Sequence, residues 1–100
     1  MIRIVKLTFQ EERTQDFLSF FETIKHVVNN FPGCQGMKLL QDIHNPHIIM
    51  TYSHWNKEQD LENYRVSKEF TQIWSTIKPW FSDKAQAWSV DTYFDGFLEK

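Results

Sequence analysis

The chain has 100 residues, 41% of them hydrophobic, enough to bury one modest core, and a single domain over residues 1–100 is expected. Three Gly and three Pro leave no room for a disordered or collagen-like chain. The net charge of −2, with Lys and Arg scattered, excludes a nucleic-acid patch or a basic membrane-surface helix, and a lone Cys excludes an internal disulfide or a cysteine-based metal cluster.

Ile2 to Phe9 is β-branched and apolar with Arg3 and Lys6 interleaved, the pattern of a strand. The same opening, MIRIVKLTF, is too short and too charged for a secretory leader, and no long apolar run follows it. A reducing cytoplasm is the expected compartment, with no membrane partner. Gln10 to Arg13 form a polar link. Thr14 is placed to cap a helix, and Asp16 in its first turn suits the helix dipole. Phe17, Phe20, Phe21, Ile24, Val27, Val28 and Phe31 then recur at helical spacing and make one apolar stripe. Asn29, Asn30 and Pro32 end it, because Pro lacks an N–H and restricts the residue before it. Gly33 completes the turn.

Cys34 to Ile43 reads as the second strand, with Met37, Leu39 and Ile43 on one side and Cys34 and Leu40 on the other. The polar turn His44 to His47 leads into a third strand, His47 to His54, so the two form an antiparallel hairpin. Asn56 is a good N-cap, and Gln59 completes a capping box. The short helix that follows carries Leu61 and Tyr64. A second stripe, Phe70, Ile73, Trp74, Ile77 and Phe81, does not share its phase. On one straight helix of about 3.6 residues per turn, Leu61 would lie opposite Phe70. The helix is therefore expected to break near Ser67, which can cap the second piece, and Pro79 limits that piece. Lys84 to Phe94 reads as the last strand, with Trp88, Val90 and Phe94 on one face and Ala85, Ala87 and Tyr93 on the other. Asp95 to Lys100 is a tail outside a core of residues 2–94.

The order β-α-β-β-α-β predicts an α+β, ferredoxin-like protomer: a four-stranded antiparallel sheet with helices on one face. All four strands carry apolar residues on both sides, whereas helices cover only one. The bare face exceeds what monomers usually leave exposed, so a homodimer is predicted, with two sheets face to face about a two-fold axis. Nine Phe and four Trp are more than a small core holds, so some of them line a cavity or an interface.

A Phe-rich first helix, the run Phe31-Pro32-Gly33-Cys34, a hairpin, Trp55 at a strand-to-helix junction, and Tyr64 followed six residues later by Phe70 resemble the antibiotic biosynthesis monooxygenase superfamily. The resemblance covers Ile2 to Phe94. It implies a dimeric α/β barrel with a pocket between the sheet and the helices of each protomer. It further implies, as one branch of the superfamily does, oxygenation of phenols or quinols by dioxygen with no bound metal or flavin. The haem-degrading branch places an Asn on the first strand, a Trp on the short helix and a His on the next. Here Met1 to Phe9 has no Asn, Tyr64 stands at the Trp position and Trp74 at the His position, so haem degradation is disfavoured.

An oxygenase of this kind needs a dry apolar pocket, a base or hydrogen-bond acceptor, and orientation. His54 is the leading candidate for the catalytic base, since an unperturbed imidazole titrates near neutrality. It shares a strand side with Ile48, Met50 and Tyr52, and it also reads as an ordinary strand-end histidine. Tyr64, Trp74, Trp55 and Tyr52 are the candidate substrate-binding residues. Trp55 reads first as a packing staple that fixes the helix entry angle, and Tyr64 and Trp74 fit core as well as pocket wall. His44 and His47 across a turn, with His54 beyond, match no defined metal site, so no metal is expected. Cys34 lacks a neighbouring base and reads as an inert thiol. Without a Gly-rich phosphate loop no nucleotide cofactor is expected, which leaves the cofactor list empty. The expected function is a cofactor-independent monooxygenase acting on a small aromatic phenol or quinol. The alternative is a non-catalytic small-molecule binding protein on the same scaffold.

Overall fold

The β-branched run at the start of the chain forms the middle of a sheet. In the computed structural model, which describes residues 1–100, β1 (Ile2–Thr8) pairs antiparallel with both β3 (Ile48–Trp55) and β4 (Gln86–Val90). β2 (Cys34–Gln41) adds to the outer edge of β3, which gives the order β2-β3-β1-β4. Three helices cover one face: α1 (Thr14–Asn29), α2 (Glu58–Arg65) and α3 (Lys68–Ile77). The fold is α+β and ferredoxin-like, as the order of the elements requires.

Strand alternation sorts the side chains into two sets. Arg3, Val5 and Leu7 of β1 and Thr51, Ser53 and Trp55 of β3 face the helices. Ile4 and Tyr52, which pair with each other, and Ile2 and His54, which do the same, stand on the opposite face with Trp88 and Val90 of β4. Under α1 and α3 the core gathers Leu7, Phe9, Phe17, Ile49 and Ile77, with the Phe9 and Phe17 rings stacked at 4.4 Å. Under α2 a second cluster forms from Trp55, Leu61 and Tyr64. Each such side chain, fully buried, stabilises the fold by roughly 1.5–3 kcal/mol.

The helix break falls where the change of phase demands it. The Ser67 hydroxyl accepts from the Phe70 amide at 3.2 Å and donates to the Tyr64 carbonyl at 2.6 Å, closing α2 and opening α3 with one group. The other expected caps are not formed. Glu11–Arg13 make a 3-10 turn in place of a loose link, and the Thr14 amide donates to the Glu11 carbonyl. That turn already satisfies backbone donors, so α1 starts without a side-chain cap. α2 starts at Glu58, and Asn56 is turned elsewhere: its side-chain oxygen accepts from Gln35 Nε2, and its amide donates to the Gly33 carbonyl at 2.8 Å. Gln59 then bonds Asn63 instead of closing a capping box. Gly33 has φ of 88°, and a Cβ there would collide with the Asp60 side chain, so the turn admits only glycine.

Three strand details differ from the sequence reading. A bulge between Cys34 and Gly36 inserts one residue into β2, so Cys34 packs on the helix-facing cluster with Trp55 instead of opposite Met37. β2 ends at Gln41, because the Asp42 carboxylate accepts from the His44 and Asn45 amides, both at 2.8 Å, and turns Ile43 out to 88% exposure. Those two bonds hold the Asp42 pKa below the ordinary carboxylate value. β4 stops at Val90 because Val90 pairs with Ile2, the first residue of β1, and nothing remains beyond it to pair with. Tyr93 and Phe94 therefore leave the sheet and are exposed, and Gly96–Glu99 coil into a 3-10 turn capped by Asp95.

Candidate functional site

Between sheet and helices lies a cavity of about 330 Å³, within the range of small-molecule sites. Its floor explains its existence. β3 supplies Thr51 and Ser53, and the β4 side supplies Ala85 and Ala87. These small residues do not reach the helices, so α3 spans a space that larger side chains would fill. Phe17, Phe21, Ile24 and Val28 of the α1 stripe close one side, and Phe70, Ile73 and Trp74 of α3 close the roof.

An unbroken aromatic chain forms one wall and runs past it to Phe81. Trp55 stacks on Tyr64 at 5.6 Å, Tyr64 meets the edge of Phe70 at 5.2 Å, Phe70 stacks on Trp74 at 5.5 Å, and Trp74 meets Phe81 edge-on at 5.5 Å. The Ser67 break makes this possible: it rotates α3 relative to α2, so that Tyr64 and Phe70 come to the same side. The Trp55 indole N–H is anchored by donating to Ser53 Oγ at 2.9 Å.

Tyr64 carries the chemistry of the wall. Its hydroxyl has no hydrogen-bond partner in the chain and is not sealed off completely, and the residue lines the cavity. Burial, with a smaller contribution from the neighbouring Cys34, pushes its pKa up to about 12. The phenol is therefore neutral at physiological pH and presents a donor to a bound molecule. Burial likewise raises the Cys34 thiol, against a smaller opposing effect of a backbone bond from Gly36. A raised pKa removes the thiolate on which cysteine reactivity depends.

Three of the five residues expected at the site meet there: Tyr64, Trp74 and Trp55 all line the cavity. His54 and Tyr52 do not. Their parity on β3 is opposite to that of Ser53 and Trp55, so they stand on the open face with the sheet between them and the cavity. There His54 Nε2 and the Tyr52 hydroxyl lie 3.2 Å apart. His54 is therefore not among the residues that line the cavity, and no imidazole is. Sequence reading also missed Arg3 and Arg65, the two charged residues of the lining. For Arg3 the signal was present: it shares its strand side with Val5 and Leu7, an unusual place for a guanidinium. Nowhere do three His, Cys, Asp or Glu side chains converge as a metal ion would require.

The fold and site define a class: ferredoxin-like domains with a cavity of small-molecule size between sheet and helices. The sequence profile of the antibiotic biosynthesis monooxygenase family matches residues 1–74, and the chain belongs to that family. Solved structures agree in fold. A candidate antibiotic biosynthesis monooxygenase from Nitrosomonas europaea superimposes with a TM-score of 0.85 at 14% identity, covering 93% of this chain and 98% of its own. A conserved protein from Methanosarcina mazei gives 0.79 at 22% identity, with 86% of each chain covered. The Mycobacterium tuberculosis protein Rv0793 gives 0.79 at 8% identity, covering 93% of this chain and 97% of its own. No curated protein matches the chain in sequence. No helix is long and apolar enough to cross a membrane.

Proposed function

We propose that the chain is a cofactor-independent monooxygenase that oxidises a small phenol or quinol with dioxygen inside this cavity. The observation that carries the reading is the neutral, unpartnered Tyr64 hydroxyl set in an aromatic wall. The reaction needs no added reductant. A quinol and dioxygen give a hydroxyquinone and water: one oxygen atom enters the ring, the other leaves as water, and the substrate supplies all the electrons. The protein's part is to hold the ring against Trp55, Phe70 and Trp74, to exclude water, and to donate from Tyr64 to the oxygen on which negative charge grows.

The same reading includes a homodimer in a reducing cytoplasm, with residues 1–100 acting as one unit. The open sheet face supports it: Trp88 is 45% exposed there, and Leu40 and Val90 are also exposed. The tail adds Tyr93, Phe94, Phe97 and Leu98, all exposed.

Oxygen uptake with a panel of quinols tests the activity. Wild type is expected to consume oxygen, and Trp74→Ala and Tyr64→Phe to lower kcat/KM at least tenfold, about 1.4 kcal/mol of transition-state stabilisation. His54→Ala, on the far face, is expected to leave the rate unchanged. No uptake with any phenol or quinol would favour the second reading, a binding protein on the same scaffold. That reading draws on the cavity lining, which holds neither an imidazole nor a carboxylate.

A further inference from the structure

Arg3 and Arg65 bring two positive charges to one end of an otherwise apolar cavity. Of the twenty residues that line it, sixteen are hydrophobic, and none is Asp, Glu, Lys or His. Arg3 is half-buried, its Nη1 donates to Ser89 Oγ at 3.0 Å, and it forms no ion pair with a carboxylate. Arg65 is paired with Glu62 of its own helix at 3.2 Å, a contact on the outer, exposed side. Beyond this end lies a polar hollow that shares Arg3, Leu61 and Arg65 with the cavity and adds Glu58, Gln59, Glu62 and Ser89. The two carboxylates of the region thus sit in the outer hollow, where Ser89 and Glu62 meet the two guanidinium groups, so Arg3 and Arg65 stand at the mouth that joins hollow and cavity.

A half-buried guanidinium beside a second one is an unfavourable arrangement that an anion would relieve. Burial and the nearby Arg65 charge both hold the Arg3 pKa below its ordinary value, while Glu62 only partly opposes them. The planar guanidinium fork suits a carboxylate, which it binds through paired N–H bonds. An apolar cavity that ends in such a pair is shaped for a molecule with a ring at one end and an anion at the other.

Building on the reading of this cavity as the substrate site, we propose that its ligand is an aromatic anion: a ring system seated against Phe70 and Trp74, with a carboxylate held between Arg3 and Arg65. The charge then selects the substrate and fixes the orientation of its ring.

Naphthoate and its uncharged counterpart naphthamide test this by titration against the full chain, read by calorimetry and by quenching of the cavity tryptophans. Naphthoate is expected to bind at least tenfold more tightly than naphthamide, and its affinity to fall with added salt. Arg3→Gln and Arg65→Gln are each expected to lose that preference while naphthamide binds as before, which also shows that the variants are folded. Equal affinity for the two probes, a preference that survives both substitutions, or no binding of naphthoate would overturn the proposal. The oxygenase reading stands apart from this outcome. A naphthoate preference without oxygen uptake on any quinol keeps the anion site and removes the oxygenase. Oxygen uptake without the preference does the reverse.

Discussion

The indole of Trp55 lies over the phenol of Tyr64, ring centres 5.6 Å apart and planes inclined by 29°. One residue ends β3 and the other sits in the last turn of α2, so this stack fastens the short helix to the sheet. It also places Tyr64 in the cavity lining. Phe31, from the turn after α1, meets Tyr64 edge-on at 5.1 Å and completes the cluster.

Trp55 is 2% exposed and bonded to Ser53. Replacing it with Ala leaves a large void and strips Ser53 of its donor. Trp55→Ala is expected to destabilise the fold by about 3–5 kcal/mol, seen as a lower midpoint in urea with little change of slope.

The raised pKa of Tyr64 makes a prediction with a definite sign. An unfolded tyrosine loses its proton near pH 10, while the folded one keeps it to about 12. Between those values the native state binds more protons than the unfolded state, so stability is fully present below pH 10 and falls as pH rises through 12. Ultraviolet titration of wild type is expected to show one phenolate appearing late, and Tyr64→Phe to remove that late step. Titration of all three tyrosines together near pH 10 would show that the phenol is not buried as described.

Ser67 joins α2 to α3 through two hydrogen bonds of one hydroxyl. Ser67→Ala is expected to cost about 1 kcal/mol, typical of a lost N-cap, in chemical denaturation. Because the break also aligns Tyr64 with Phe70, the variant is expected to bind cavity ligands more weakly, which a surface cap would not do.

Trp88 sits on the open sheet face at 45% exposure. In a dimer built on that face, Trp88→Lys places two charges against an apolar interface. Sedimentation is expected to find dimers for wild type at micromolar concentration and single subunits for Trp88→Lys. A wild type that sediments as one subunit would remove the face-to-face dimer.

Much of this was legible in the chain. Periodicity alone located the sheet and the stripe of α1, and the phase conflict between Leu61 and Phe70 located the break at Ser67, because local geometry ties side-chain direction to sequence spacing. What failed was non-local. Thr14 and Asn56 are good capping residues, yet a preceding 3-10 turn made one cap redundant, and Gln35 and Gly33 from across the fold recruited the other. The end of β4 depended on where β1 begins, 88 residues earlier, since Val90 is paired with Ile2.

Residue order by itself determined that Trp55 stands at a strand-to-helix junction, that Tyr64 and Trp74 lie on the two helical pieces beyond it, and that strand three has two alternating faces. Only the tertiary structure decided which face looks inward, because alternation fixes relative direction while helix packing fixes the absolute one. That choice sent His54 and Tyr52 outward and brought Arg3 in beside Arg65. Two charges 62 positions apart in sequence thereby came to share one cavity end, a proximity that no local pattern encodes.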